Sequence, residues 1–242
     1  MRYEIGLRIG YAYGAPSAHV RTLARLLPAD WPGEQVVAAR RLTIDPPPGE
    51  RREARDFFGN TMTALAFHAP IARIDLTLSA VVERLEPSDS LDLSPDRAGL
   101  AAEIAAHRDL GPQAPHHYLP PSPRIAPDPA IAAFARDHAV AGRTTLQTVV
   151  ALGAALHAEM RFDAGATDVD TTAADAFAAR HGVCQDFSHV MITGLRALGI
   201  PAGYVSGFLR TIPPPGRARL EGADAMHAWV SAWCGAEMGW VC

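Results

Sequence analysis

The chain has 242 residues, 48% of them hydrophobic, and a formal net charge of -4 at pH 7, so it can bury a full core as one large domain or two small ones. It holds no run of five or more basic residues and no window of about 18 apolar residues, which argues against nucleic-acid binding and against a membrane span. Its three cysteines, Cys184, Cys234 and Cys242, are odd in number and all lie in the C-terminal third, so they make no disulfide framework and suit a reducing, cytoplasmic setting.

The N-terminus, Met1-Arg2-Tyr3-Glu4-Ile5, lacks the apolar stretch of a signal peptide, and none is expected. From Arg2 to Tyr13 the apolar residues fall on odd positions: Tyr3, Ile5, Leu7, Ile9, Tyr11 and Tyr13. Period two marks a half-buried strand. The pattern returns in 71–85, where Ile74, Leu76, Leu78, Ala80 and Val82 alternate with polar residues. Weaker strands are expected at Val20–Leu27, Gln35–Ile44 and Thr61–His68, with turns at Pro46–Gly49 and Gly59-Asn60. Residues 1–85 therefore read as a small antiparallel β-sandwich.

Residues 86–129 hold nine of the twenty prolines and read as a linker wrapped over a surface, with one short helix near Arg97–His107. From Ala130 the period becomes helical. Leu146, Val149, Leu152, Leu156 and Met160 form one apolar stripe. A second helix is expected from Thr172 to Arg180, with Gly182 as its stop, and a third over Cys184–Leu198 with Phe187, Met191 and Leu195 on one face. Two strands follow, Gly203–Arg210 and Met226–Cys234, around a loop at Ile212–Gly216. Residues 130–242 thus read as an α+β core that is cut short at its C-terminus.

Two segments carry chemistry. Arg180-His181-Gly182-Val183-Cys184-Gln185-Asp186-Phe187-Ser188-His189 delivers a cysteine to the first turn of a helix. Asp224-Ala225-Met226-His227-Ala228-Trp229-Val230 places a histidine at the start of a strand. A helix N-terminus favours a thiolate, and a neighbouring imidazole favours it further and can protonate a leaving amine. Amides at the helix start could serve as part of an oxyanion hole. A lone cysteine is otherwise most often a small buried apolar residue. A thioester formed at Cys184 could pass to water or to a second amine, and the residue pair does not decide between them.

These stretches, with Leu195–Ala202, Tyr204–Phe208 and Gly165-Ala166-Thr167, resemble the bacterial transglutaminase-like proteins of the transglutaminase/papain-like superfamily. The N-terminal part resembles that family's β-sandwich domain, and Asp56-Phe57-Phe58-Gly59-Asn60 is similar to one of its turns. The resemblance implies a Cys-His-Asp triad with Cys184 as nucleophile and His227 as base, acting on an amide of a peptide or protein substrate, with hydrolysis favoured over cross-linking. It also implies a departure. The family's aspartate follows a Gly-Trp pair, which here is Gly239-Trp240, and no acid after His227 fits, since Glu237 sits in the Gly235–Gly239 turn. The chain is then either truncated or impaired, and the alternative is a catalytically silent transglutaminase-like binding protein.

Gln185 and Trp229 are the expected substrate-binding residues, Trp229 lying on the same strand face as His227. Asp186 reads as a helix-start cap and His189 as structural. Neither a metal nor a cofactor is expected, because His68, His107, His116 and His117 lack ligand spacing and His181, Cys184 and His189 fall on different helix faces. Cys234 alternates away from His227 and reads as a packed residue.

Overall fold

The computed structural model describes residues 1–85, 91–210, 216 and 226–242. The chain divides into two compact units, Met1–Ser90 and Leu91–Cys242. The loop expected at Ile212–Gly216, apart from Gly216, and the pair Asp224-Ala225 lie outside the described residues.

The first unit contains β1 (Arg2–Ser17), β2 (Val20–Ala24), β3 (Gln35–Asp45), β4 (Glu50–Arg55), β5 (Thr61–Phe67) and β6 (Ile71–Arg84). They form two three-stranded antiparallel sheets, ordered β1-β6-β3 and β2-β5-β4. The alternation read from the sequence sets the register. On β6, Ile74, Leu76, Leu78, Ala80 and Val82 all point inward, with Leu78 opposite Leu7 on β1 and Leu42 on β3. The alternation of β1 ends before Tyr11, which is exposed. Strand β4 carries no apolar period and every residue of it is exposed. Among the described residues it pairs only with β5, and its charges suit an edge strand that must not recruit another chain.

The second unit contains α1 (Arg97–Ala106), a 3-10 turn (Pro115–Tyr118), α2 (Pro129–His138), α3 (Thr145–Glu159), β7 (Arg161–Phe162), α4 (Ala173–Ala179), β8 (His181–Gly182), α5 (Cys184–Ala197), β9 (Ala202–Phe208), β10 (Met226–Trp233) and β11 (Trp240–Val241). Strands β11, β10 and β9 form an antiparallel sheet in that order, and β7 pairs with β8 in parallel. Antiparallel sheets followed by a helix-and-sheet core give the α+β class expected from the sequence.

The stretch read as a linker is anchored to this unit by polar contacts, from residue 91 onward. Asp92 Oδ2 accepts from the Thr144 hydroxyl at 2.5 Å, and the Ser94 hydroxyl accepts from the Leu146 N–H at 3.0 Å. The Pro95 carbonyl takes both the Thr145 N–H and hydroxyl at 2.7 Å. These contacts satisfy the orphan donors at the start of α3, together with a Thr144–Gln147 capping box. Farther along, the Arg196 guanidinium joins the Pro120 and Ala202 carbonyls.

Helix α5 differs from the one-faced stripe expected of it. It packs against α2, α3 and α4 and against β9 and β10. Asp186, Ser188, His189, Val190, Ile192, Thr193, Gly194 and Leu195 are all buried, so the helix is central. Its hydroxyls are satisfied inside the helix, Ser188 donating to the Cys184 carbonyl and Thr193 to the His189 carbonyl. Gly194 lets neighbouring helices approach: a Cβ there would lie 3.3 Å from both Ala135 Cβ and Leu152 Cδ2. That close packing offsets the roughly 1 kcal/mol that glycine costs within a helix.

Because Leu195 is fully buried in this centre, Leu195→Ala should destabilise the second unit by about 2–5 kcal/mol. Exposed Val150→Ala on α3 should change stability by less than about 0.5 kcal/mol. Urea titration of both variants checks the contrast, and equal small losses would contradict the central position of α5.

Candidate active site

The turn that presents Cys184 is built from both sides. Helix α4 starts at Thr172, whose hydroxyl accepts from the Asp175 N–H, and ends at Arg180 in the left-handed conformation, φ 58°. Gly182, expected as the helix stop, instead lies in β8, because Arg180 already turns the chain. Backbone bonds from Arg161 to Arg180 and from Asp163 to Gly182 tie β7 to β8. Val183 then adopts an extended conformation, and α5 begins at Cys184.

A valine side chain cannot cap a helix, and Asp186 does so from within the first turn. Its Oδ2 accepts the Val183 N–H at 2.8 Å and the Thr167 hydroxyl at 2.6 Å. Asp186 is 1% exposed, and its Oδ1 is buried without a hydrogen bond. Gly182 makes room for this carboxylate, since a Cβ at that position would lie 2.6 Å from Asp186 Oδ2. The Asp186 and Phe187 amides both donate to the Val183 carbonyl, at 2.9 and 3.1 Å. The amides of Cys184 and Gln185 therefore remain as the helix-start donors with no carbonyl inside the helix to accept them. Cys184 itself is half-buried and not disulfide-bonded, and Gln185 beside it is half-buried too.

His227 lies on β10, one of the strands that pack against α5. It faces Gly207 across the β9 register, and Trp229 faces Val205. The Trp229 indole lies across Gly207, where a Cβ would meet its Cη2 at 2.6 Å. Trp229 thus covers the strand position paired with His227. The His227 Nε2 is buried and has no hydrogen-bond partner. Among the described residues no hydrogen bond joins His227 to Cys184, and none joins it to a carboxylate. Unliganded sites often show such open geometry.

Two residues not foreseen at this site complete it. Tyr204 on β9 lies against His189 with ring centroids 5.3 Å apart and the ring planes tilted by 39°. Burial pushes the Tyr204 phenol up, and negative charge at Cys184 and Asp186 pushes it the same way. Burial holds the His189 imidazole below the usual histidine range, against the opposing pull of Asp186. Thr167 is the other, and its signal was present in the Gly165-Ala166-Thr167 motif without any hint of the residue it touches. No group of three or more His, Cys, Asp or Glu converges as metal ligands among the described residues.

Cys234 is buried, and burial together with the Asp92 charge pushes its thiol up to about 12. At pH 8 it is therefore a protonated, inaccessible thiol. Iodoacetamide on the folded protein at that pH should label exposed Cys242 and half-buried Cys184 and spare Cys234, which labels only in urea. Peptide mass spectrometry reads the outcome, and native labelling of Cys234 at the rate of Cys242 would overturn this packing.

Comparison with known proteins places this geometry in a family. Residues 3–83 match the bacterial transglutaminase-like N-terminal region, and residues 132–242 match the transglutaminase-like superfamily. An uncharacterized protein of Mycobacterium tuberculosis (strain ATCC 25618 / H37Rv) is 31% identical over 243 residues, covering 96% of this chain and 73% of the relative. One of Mycobacterium leprae (strain TN) is 32% identical over 237 residues, covering 96% and 78%. The crystal structure of a "Putative Cysteine Protease" from Cytophaga hutchinsonii superposes with a TM-score of 0.71 at 21% identity, covering all of this chain and 80% of that one, and so shares the fold. The chain belongs to the transglutaminase-like superfamily of cysteine-dependent hydrolases and transamidases, with the bacterial transglutaminase-like N-terminal region ahead of its core.

Proposed function

We propose that this chain is a cysteine-dependent acyl-transfer enzyme that cleaves an amide in a peptide or protein substrate. The observation that carries the reading is Cys184 at the first position of a central helix, flanked by helix-start amides with no acceptor inside the helix. The sulfur of Cys184 attacks the amide carbonyl carbon, and the oxygen becomes an oxyanion held by the Cys184 and Gln185 N–H groups. His227 takes the thiol proton and returns it to the departing amine, which leaves a thioester. Water then attacks the thioester with His227 as base, releasing the acid and restoring the thiol. Gln185 and the Trp229 indole beside His227 are proposed to contact the substrate.

Hydrolysis is favoured over amine transfer because Cys184 is partly open to solvent, so water is at hand. The chain contains no lysine, so it offers no ε-amine for linking copies of itself. A reducing, cytoplasmic compartment suits three unpaired cysteines. The second reading, a silent binding protein, draws on the unpartnered His227 Nε2.

Exposed Cys242 supplies an internal standard of ordinary reactivity. At pH 6, Cys184 should alkylate at least about tenfold faster than Cys242, and His227→Ala should remove most of that advantage. Cys184→Ala confirms the site of labelling. Equal rates for the two thiols, indifferent to His227, would sink the catalytic reading.

A further inference from the structure

The Asp186 carboxylate lies beside the proposed nucleophile, and nothing in the proposed chemistry uses it. It is 1% exposed and two residues from Cys184. A negative charge so close to a thiol opposes formation of the thiolate. A buried carboxylate with one oxygen unpartnered is also costly. Its retention at the first turn therefore calls for a return, and the hydrogen bonds of Oδ2 supply one.

That single oxygen joins three segments. Its bond to the Val183 N–H fixes the residue before Cys184. Its bond to the Thr167 hydroxyl reaches nineteen residues back to the loop after β7. That loop is itself folded on Asp163, which accepts the Gly165 N–H at 3.2 Å through Oδ1 and the Ala166 N–H at 3.3 Å through its carbonyl. The Asp163 N–H in turn donates to the Gly182 carbonyl at 3.0 Å. The circuit closes on the glycine whose missing side chain admits the carboxylate. The Cys184 turn is thus bracketed on both sides.

We propose that Asp186 and Thr167 are positioning residues for Cys184, a clamp that holds the thiol and the two free helix-start amides in one fixed arrangement. The proposal rests on the reading of Cys184 as nucleophile. It assigns the clamp to the hydrogen bonds of Asp186 and not to its charge. Asparagine can reproduce it, because both donors use one oxygen and the amide nitrogen would replace the oxygen that has no partner. Serine can replace Thr167, because only the hydroxyl is needed.

The test is the pH profile of Cys184 alkylation by iodoacetamide in the full chain, with folding of each variant checked by circular dichroism. Thr167→Val should slow alkylation at pH 7 by roughly tenfold, the worth of one hydrogen bond to a charged group. Thr167→Ser should restore the rate to within about twofold of the parent chain. Asp186→Asn should keep the maximal rate and move the profile to lower pH, because the opposing charge is gone. If folded Thr167→Val alkylates as fast as Thr167→Ser while Cys184 keeps its advantage over Cys242, the clamp is refuted and the nucleophile stands. If Asp186→Asn loses the maximal rate, the hydrogen bonds are not what Asp186 contributes. If the parent Cys184 shows no advantage over Cys242, the nucleophile reading fails and the clamp with it.

Discussion

The central burial of helix α5 is the constraint from which the rest of the second unit follows. Packed against α2, α3, α4, β9 and β10, the helix buries Asp186, Ser188, His189 and Thr193 away from solvent. An unsatisfied buried polar atom costs about 1–3 kcal/mol, so a partner inside is favoured, although Asp186 Oδ1 has none. Ser188 and Thr193 return their hydroxyls to their own helix. His189 lies against Tyr204 with its imidazole held toward the neutral form by burial. Asp186 turns back onto Val183 and outward to Thr167. Cys184 opens the first turn, half-exposed, two residues from fully buried Asp186.

This arrangement separates rigidity from reactivity. The body of α5 is locked by Val190, Ile192, Leu195 and the close approach of α2 and α3 at Gly194. The N-terminus projects from that body with two unused amides and a thiol. Fixed dipoles that need no rearrangement during the reaction are worth more than mobile ones. The sheet contributes differently. On β9 and β10, glycine at 207 lets the Trp229 indole lie flat beside the position paired with His227. One strand pair thus supplies both an imidazole and an aromatic wall.

Much of the fold was legible because its signals are periodic and local. Alternation in β1 and β6 and the Leu152–Leu156–Met160 stripe at α3 each report one buried face, and those residues are buried or half-buried except Tyr11. Where a different force governs, the sequence was silent. Strand β4 is charged except at Ala54, as suits an edge. In residues 91–129 the short helix α1 was readable, but the anchoring was not: scattered core residues such as Leu100 and Ile125 and single polar contacts such as Asp92 to Thr144 leave no period. The many-sided burial of α5 was hidden because buried Asp186, Ser188, His189 and Thr193 are polar and break the apolar period that marks a buried face. At the site, the elements carrying Cys184 and His227 were readable from a glycine turn and a short alternating run. The Thr167–Asp186 bond was not, because a contact across nineteen residues between two common polar side chains leaves no local mark.

The central claim is that Cys184 carries an acyl group during turnover. Intact-mass measurement after brief exposure to an activated acyl ester tests it without knowledge of the natural substrate. The account predicts one acyl adduct on Cys184 that disappears with time in water and persists in His227→Ala, whose thioester lacks the base that activates water. An adduct that never forms on Cys184, or one that decays at the same rate without His227, would contradict it.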